Sequence, residues 1–131
     1  GKPGFELGEN EIEVGMGIHG EPGVERTHIL TAAETAETLL SKILADYDYS
    51  GSEVALMVNG LGATPLMELY ILNNEVEKIL TGKGIKIYKT FVGNYMTALE
   101  MTGCSITLMK LDEELKELLD APCSTPALTI V

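Results

Sequence analysis

Within the 131-residue chain, Gly17-Ile18-His19-Gly20-Glu21-Pro22-Gly23 is the stretch whose residue types and spacing could do chemistry. It sets one imidazole on a short loop directly after an alternating apolar pattern. Near neutral pH an imidazole nitrogen carries a nucleophilic lone pair, because its unperturbed pKa is about 6.5. Glycines on either side remove neighbouring Cβ atoms and permit positive φ, so the backbone can turn sharply and a small molecule can come close. Pro22-Gly23 reads as a turn. Glu21 stands two residues from His19, where it could orient the ring. The same residues also read as a surface loop with an incidental histidine. His28, between Thr27 and Ile29, lacks any such setting.

Other stretches offer less. Asn59-Gly60-Leu61-Gly62-Ala63-Thr64-Pro65 is a glycine-rich loop feeding a helix, and free N–H groups at a helix start can hold phosphate. It lacks the lysine of a P-loop and the spacing of GxGxxG, so a tight strand-to-helix turn is the leading reading. Asn94, Tyr95 and Thr97 could line a pocket or cap backbone groups, the commoner use of such residues. Cys104 and Cys123 form no CxxC and have no histidine at ligand spacing, so neither a metal site nor a redox motif is indicated. Two small buried apolar side chains are expected there instead of a disulfide. No Ser/His/Asp set can be assembled from sequence.

The elements that must position His19 follow from periodicity. Residues 1–10 are Gly- and Pro-rich and polar except for Phe5 and Leu7, a lead-in segment. From Glu11, the residues Ile12, Val14, Met16 and Ile18 alternate with polar or glycine positions and predict a strand. Thr31 with Glu34 is a capping-box signature, and Ala32, Ala36, Leu39, Leu40, Ile43, Leu44 and Tyr47 recur at helical spacing, so a helix is predicted over 32–46. Asp48 to Ser52 close it as a turn. Val54 to Val58 is continuously apolar, as for a central strand covered on both sides. Thr64 is a natural N-cap and Pro65 a natural first helical residue. Leu66, Leu69, Tyr70, Asn73, Val76, Ile79 and Leu80 carry that helix to Gly82 and Gly84.

Residues 85–92 alternate as a strand, and 93–103 are a glycine-bounded loop or one short helix. Residues 104–111 form another strand, and Asp112 caps a short helix through Leu119. The tail from Ala127 to Val131 is a candidate edge strand. The helix between strands 54–59 and 85–92 is long enough for a crossover, so that pair should be parallel. The fold class expected is α/β: a mixed sheet of five or six strands with helices mainly on one face.

The formal charge of −11 and pI near 4.5 argue against a nucleic-acid partner, because phosphate backbones are gripped by clustered basic residues and nine scattered ones form no patch. Hydrophobic residues at 45% and a mean hydropathy of +0.14 suit one globular domain with a slight apolar excess, as for a surface that meets another. No apolar run reaches membrane-spanning length, and the start resembles no signal peptide, so a soluble, cytoplasmic protein is expected. The opening Gly-Lys-Pro-Gly reads as a linker, as in a piece of something longer.

The segments FELGENEIEVGMGIHGEPG, VALMVNGLGATPLMELY, FVGNYMTALEMTGCSITLMKLDEEL and LLDAPCSTPAL together resemble, nearly end to end, the second half of the substrate-binding K module of dihydroxyacetone kinases. The resemblance implies that residues 1–131 are the C-terminal domain of a two-domain subunit whose N-terminal domain is missing. It implies that His19 binds dihydroxyacetone covalently, in a kinase that makes dihydroxyacetone phosphate. The general acid and base belong to the missing domain, so the fragment alone should be inactive. No cofactor is implied within this domain. The phosphoryl donor would come from a partner, either an ADP-bound L subunit recharged by a phosphotransferase-system protein or an ATP-binding domain, and a homodimer is expected. The chain has Thr97-Ala98 where the family pattern commonly has Thr-Ser. A second expectation of another class is a non-catalytic dihydroxyacetone-binding paralogue acting as a transcriptional co-regulator.

Overall fold

The structure, a computed structural model, describes residues 5–131; the first four residues of the lead-in lie outside the described residues. The elements in order are β1 (Glu11–Val14), β2 (Glu25–His28), α1 (Ala32–Asp46), β3 (Glu53–Gly62), α2 (Leu66–Gly82), β4 (Lys86–Gly93), β5 (Thr102–Leu111), α3 (Glu113–Asp120), β6 (Cys123–Ser124) and β7 (Thr129–Ile130). The class is mixed α/β, as expected. The strands do not form one sheet of five or six, however. The main sheet among the described residues has three strands in the order β4-β3-β5, and β1-β2 and β6-β7 are separate antiparallel ribbons.

β3 earns its central place by composition. It pairs parallel with β4 and antiparallel with β5, the latter without a break from Glu53 opposite Leu111 to Gly62 opposite Thr102. Val54, Leu56 and Val58 point to one face and are fully buried beneath Ala36 and Leu40 of α1 and Leu69, Leu72, Val76 and Leu80 of α2. Each such burial contributes about 1.5–3 kcal/mol. The parallel β3–β4 pair joined through α2 is the predicted crossover. Its register shifts between Val54 and Ala55, opposite Tyr88.

α1 begins as read: Thr31 Oγ1 accepts from Glu34 N–H, and the Glu34 carboxylate accepts from Thr31 N–H at 2.8 Å. Tyr47, placed on the buried face by its spacing, is instead the C-cap residue and exposed, packed edge-on against Tyr49. α2 starts one residue later than predicted. Pro65 is its N-cap, and Thr64 ties to β5, donating to Gly103 C=O at 2.7 Å and accepting from Gly103 N–H at 2.8 Å. Leu66 and Tyr70 of α2 face outward, because the sheet-facing row is Leu69, Leu72, Val76 and Leu80.

The second face of the sheet is polar in its fastenings. α3 has no buried residue and is held to the sheet by ion pairs, Lys116 to Glu53 of β3 and Lys89 of β4 to Asp120 at 2.7 Å, while Lys116 also pairs with Glu113 of its own helix at 2.8 Å. Residues 94–101 form a loop without a helix, and Asn59 organises it. Asn59 is 3% exposed. Its Oδ1 accepts from Tyr95 N–H at 2.8 Å and Met96 N–H at 2.9 Å, while its Nδ2 donates to Met96 C=O at 2.8 Å and Ser105 Oγ at 3.2 Å. The candidate edge strand at the tail is two residues long and pairs with β6, not with the main sheet.

Asn59→Leu strips all four bonds and leaves three backbone groups of the loop without partners, so it should lower stability by about 2–3 kcal/mol. Urea unfolding followed by circular dichroism reads this as a drop in midpoint at unchanged slope; an unaltered midpoint would show that the loop does not depend on Asn59.

Candidate functional site

His19 sits on the loop between β1 and β2, and the base of that ribbon is what aims it. The predicted strand to Ile18 stops at Val14, because Gly15 adopts a φ of +78° and the space its Cβ would take holds the Val24 side chain at 2.9 Å. Ile18 is consequently exposed. β2, whose sequence Glu-Arg-Thr-His shows no apolar alternation, is a strand by virtue of its pairing with β1. Val24 N–H closes the ribbon on Val14 C=O at 2.8 Å. Glu13, 12% exposed in its side chain, locks the base by accepting from Gly23 N–H at 3.0 Å and from Arg26 Nε at 2.9 Å.

Above that base the chain makes a tight turn. Gly20 N–H donates to Gly17 C=O and Gly17 N–H to Glu21 C=O, each at 3.0 Å, with Gly20 at a φ of +85°. The His19 side chain at the top is 84% exposed. Its backbone N–H donates to Glu21 Oε2 at 3.0 Å, and its Nδ1 lies 3.4 Å from Glu21 Oε1. Bonds from Glu21's own backbone amide and from that of His19 hold the Glu21 carboxyl below the usual carboxylate range.

Glu13 and Arg26 are the site-building residues that sequence reading missed. Glu13 was visible on the polar face of the alternation, but its partners lie ten and thirteen residues away across a ribbon whose second strand carries no strand signal.

The other sequence candidates are not brought to His19. In the glycine-rich stretch, Gly62 N–H donates to Thr97 Oγ1 at 2.6 Å, Ala63 N–H to Met101 C=O at 2.8 Å and Thr64 N–H to Leu61 C=O at 3.4 Å. Groups that would cradle a phosphate are thus spent within the chain; Gly60 to Gly62 prolong β3 beyond the expected end at Asn59, and only residues 63–65 make the tight connection into α2. Thr97 is a backbone cap, and Asn94 lies where a Cβ on Gly60 would fall, its Oδ1 at 2.2 Å from that position. Cys104 and Cys123 are free and half-buried, and burial pushes the Cys104 thiol up. One surface concavity lies between the starts of α1 and α2, lined by Thr35, Thr64, Ile71 and Cys104, and another along β4, lined by Glu77, Tyr88 and Thr90; His19 lines neither. Among the described residues no cluster of three or more His, Cys, Asp or Glu is placed to hold a metal, and no helix is long and apolar enough to cross a membrane.

Fold and site together define an α/β domain presenting one exposed imidazole on a glycine-framed hairpin loop. The chain belongs to the Dak1 domain family, which matches residues 1–127. It is 48% identical over 127 residues to the dihydroxyacetone-binding subunit DhaK of PTS-dependent dihydroxyacetone kinase 2 of Listeria innocua, a match covering 96% of this chain and 38% of that protein. Among solved structures it is similar to the dihydroxyacetone kinase operon co-activator Dha-DhaQ, with a TM-score of 0.84, 35% identity and coverage of 92% of this chain and 38% of the other. It is also similar to the dihydroxyacetone kinase of C. freundii in its native form, with a TM-score of 0.76, 29% identity and coverage of 95% and 23%. The chain spans less than half the length of the curated relatives it matches.

The Glu21 carboxyl has an ordinary value of 4.5 and is lowered when folded, so its bond to the His19 amide is complete above that value and is lost as pH falls through the lowered one. The side-chain carboxyl carbon resonance of Glu21, which reports on that carboxylate directly, should titrate with a midpoint below the ordinary value of 4.5. A midpoint at or above the ordinary value would show that the bond does not form in solution.

Proposed function

We propose that this chain is the C-terminal domain of a dihydroxyacetone kinase K subunit, and that His19 tethers dihydroxyacetone as a covalent hemiaminal. The observation that carries the reading is the exposed imidazole of His19 on its glycine-framed turn, in a chain whose relatives are named dihydroxyacetone-binding subunits. Imidazole adds to the ketone carbon; the carbonyl π pair moves to oxygen, which takes up a proton. The ring nitrogen in the adduct has no second proton to lose, so the reaction stops before an imine. Such a tether selects small carbonyl compounds over polyols, which offer no electrophilic carbon. It also fixes the terminal hydroxyl where a phosphoryl donor can reach it.

The donor belongs to a partner, either an ADP-bound L subunit or an ATP-binding domain, and the acid and base that move the hydroxyl proton belong to an N-terminal domain of the same subunit. A homodimer in the cytoplasm is the setting this reading implies. A second reading has one observation in its favour: a structure similar to this chain, at a TM-score of 0.84, is named an operon co-activator. In that reading His19 still binds dihydroxyacetone, and the occupied domain acts on a transcription regulator. The longer parent sequence separates the two, because a kinase needs a catalytic Asp and His in its first domain and a sensor does not.

Incubating the parent subunit with dihydroxyacetone should add the mass of one intact ligand per chain, and His19→Ala should abolish the adduct. An adduct that survives in His19→Ala removes the residue from this role. The 131-residue chain alone should bind dihydroxyacetone weakly or not at all, since a pocket shared by two domains is open on one side. Calorimetry checks this, and tight binding by the chain alone would contradict the shared pocket.

A further inference from the structure

Accepting His19 as the tether, we propose that Glu21 is its positioning residue, holding the imidazole proton on Nδ1 so that the Nε2 lone pair faces the incoming carbonyl. The carboxylate reaches back across the turn and touches its neighbour twice: Oε2 takes the His19 backbone N–H at 3.0 Å and Oε1 stands 3.4 Å from Nδ1. The Nδ1–Oε1 distance is that of an ion pair; an ionised carboxylate only accepts, so it favours hydrogen on the ring nitrogen nearer to it and leaves the opposite nitrogen its lone pair.

Gly17 makes the reach possible. A Cβ there would lie 2.1 Å from Glu21 Oε2 and 2.8 Å from Glu21 Cβ, so any larger residue would push the whole side chain off the turn. Glu13, the acid at the base of the same ribbon, is already committed to Gly23 N–H and Arg26 and leaves the ring to Glu21. The depressed pKa of Glu21 agrees with a carboxylate that stays ionised at working pH.

The arrangement also serves the addition step. When the Nε2–carbon bond forms and the carbonyl π pair goes to oxygen, the ring becomes an imidazolium whose Nδ1–H faces the Glu21 carboxylate. The alkoxide takes a proton from water and Nδ1 later returns one, so the neutral hemiaminal forms with no net change in protons. A carboxylate beside Nδ1 stabilises the charged species between these two transfers.

Glu21→Gln separates positioning from simple loop-holding. Its amide oxygen can keep the bond from His19 N–H, which puts the NH₂ group opposite Nδ1 and turns that partner into a donor. The proton should then move to Nε2, the nitrogen that must attack. In the 131-residue chain with 15N-labelled histidine, held above the ordinary imidazole range, the ring nitrogen shifts should report mainly Nδ1–H for His19 and switch to mainly Nε2–H in Glu21→Gln. His28 serves as the internal reference. In the parent subunit, adduct formation by Glu21→Gln should fall by roughly tenfold or more, as when a nucleophile's partner is given the wrong tautomer.

An Nε2–H tautomer in the unsubstituted chain, or the same tautomer ratio in chain and variant, overturns the proposal. Because the tautomer is read without ligand, an unsubstituted protein that shows Nδ1–H yet forms no adduct would sink the tether reading and leave the positioning by Glu21 standing.

Discussion

The structure depends on one strand being buried on both faces. β3 pairs with β5 along its full length and with β4 from Glu53 to Asn59, and it carries two different kinds of contact on its two sides. Toward α1 and α2 it is hydrocarbon, with Val54, Leu56 and Val58 removed from solvent. Toward α3 and the 94–101 loop it offers Glu53 and Asn59, each of which fastens a separate segment through polar bonds. Burying Asn59 is tolerable only because its amide makes four bonds, three of them to the backbone of the loop it holds and one to the Ser105 hydroxyl on β5. The end of β3 is equally constrained. Gly62, at a φ of +57°, lies so close to the Ala98 and Met101 carbonyls that a Cβ would sit 2.3–2.4 Å from them. The apolar half thus provides the stability, and the polar half fixes where the irregular segments lie.

His19 is placed by other means. No hydrophobic packing surrounds it, and its position follows from the ribbon closed by Glu13 and from a turn whose glycines admit close approaches. Gly23, for example, leaves only 2.6 Å between a Cβ position and Val14 C=O. A side chain set by backbone geometry stays exposed while its point of attachment is fixed. That combination is compatible with the proposed tether, which would meet a small carbonyl compound at the edge of the domain rather than within it. It also explains why neither surface concavity contains it.

Much of this was legible in the sequence where the signal is local. The Thr31–Glu34 capping box, the apolar run of Val54–Val58 and the Asp112 cap with Leu115 N–H rest on residues a few positions apart, and the parallel crossover follows from the length of the helix between its strands. What escaped detection depends on distant partners. β2 is a strand only because β1 lies beside it, and Thr64 leaves its expected capping role because Gly103, 39 residues away, offers both a donor and an acceptor. The strand predicted through Ile18 ended early because period-two alternation continues across Gly15 in sequence while its backbone does not. The candidate site was legible in part: the glycines around His19 are a local signal, whereas the fastening by Glu13 and Arg26 is a contact across the ribbon. The family resemblance stated from four motifs is the relationship found, to the Dak1 domain family over residues 1–127.

The account's central claim is a reversible bond between the His19 imidazole and a ketone carbon, and the carbon reports on it most directly. With dihydroxyacetone labelled with 13C at the carbonyl and bound to the parent subunit, the account predicts that the label leaves the ketone region of the spectrum. It should appear in the region of a tetrahedral carbon bearing oxygen and nitrogen, with coupling to 15N-labelled histidine. A bound ligand whose label stays in the ketone region, or a tetrahedral carbon without coupling to histidine nitrogen, would contradict it.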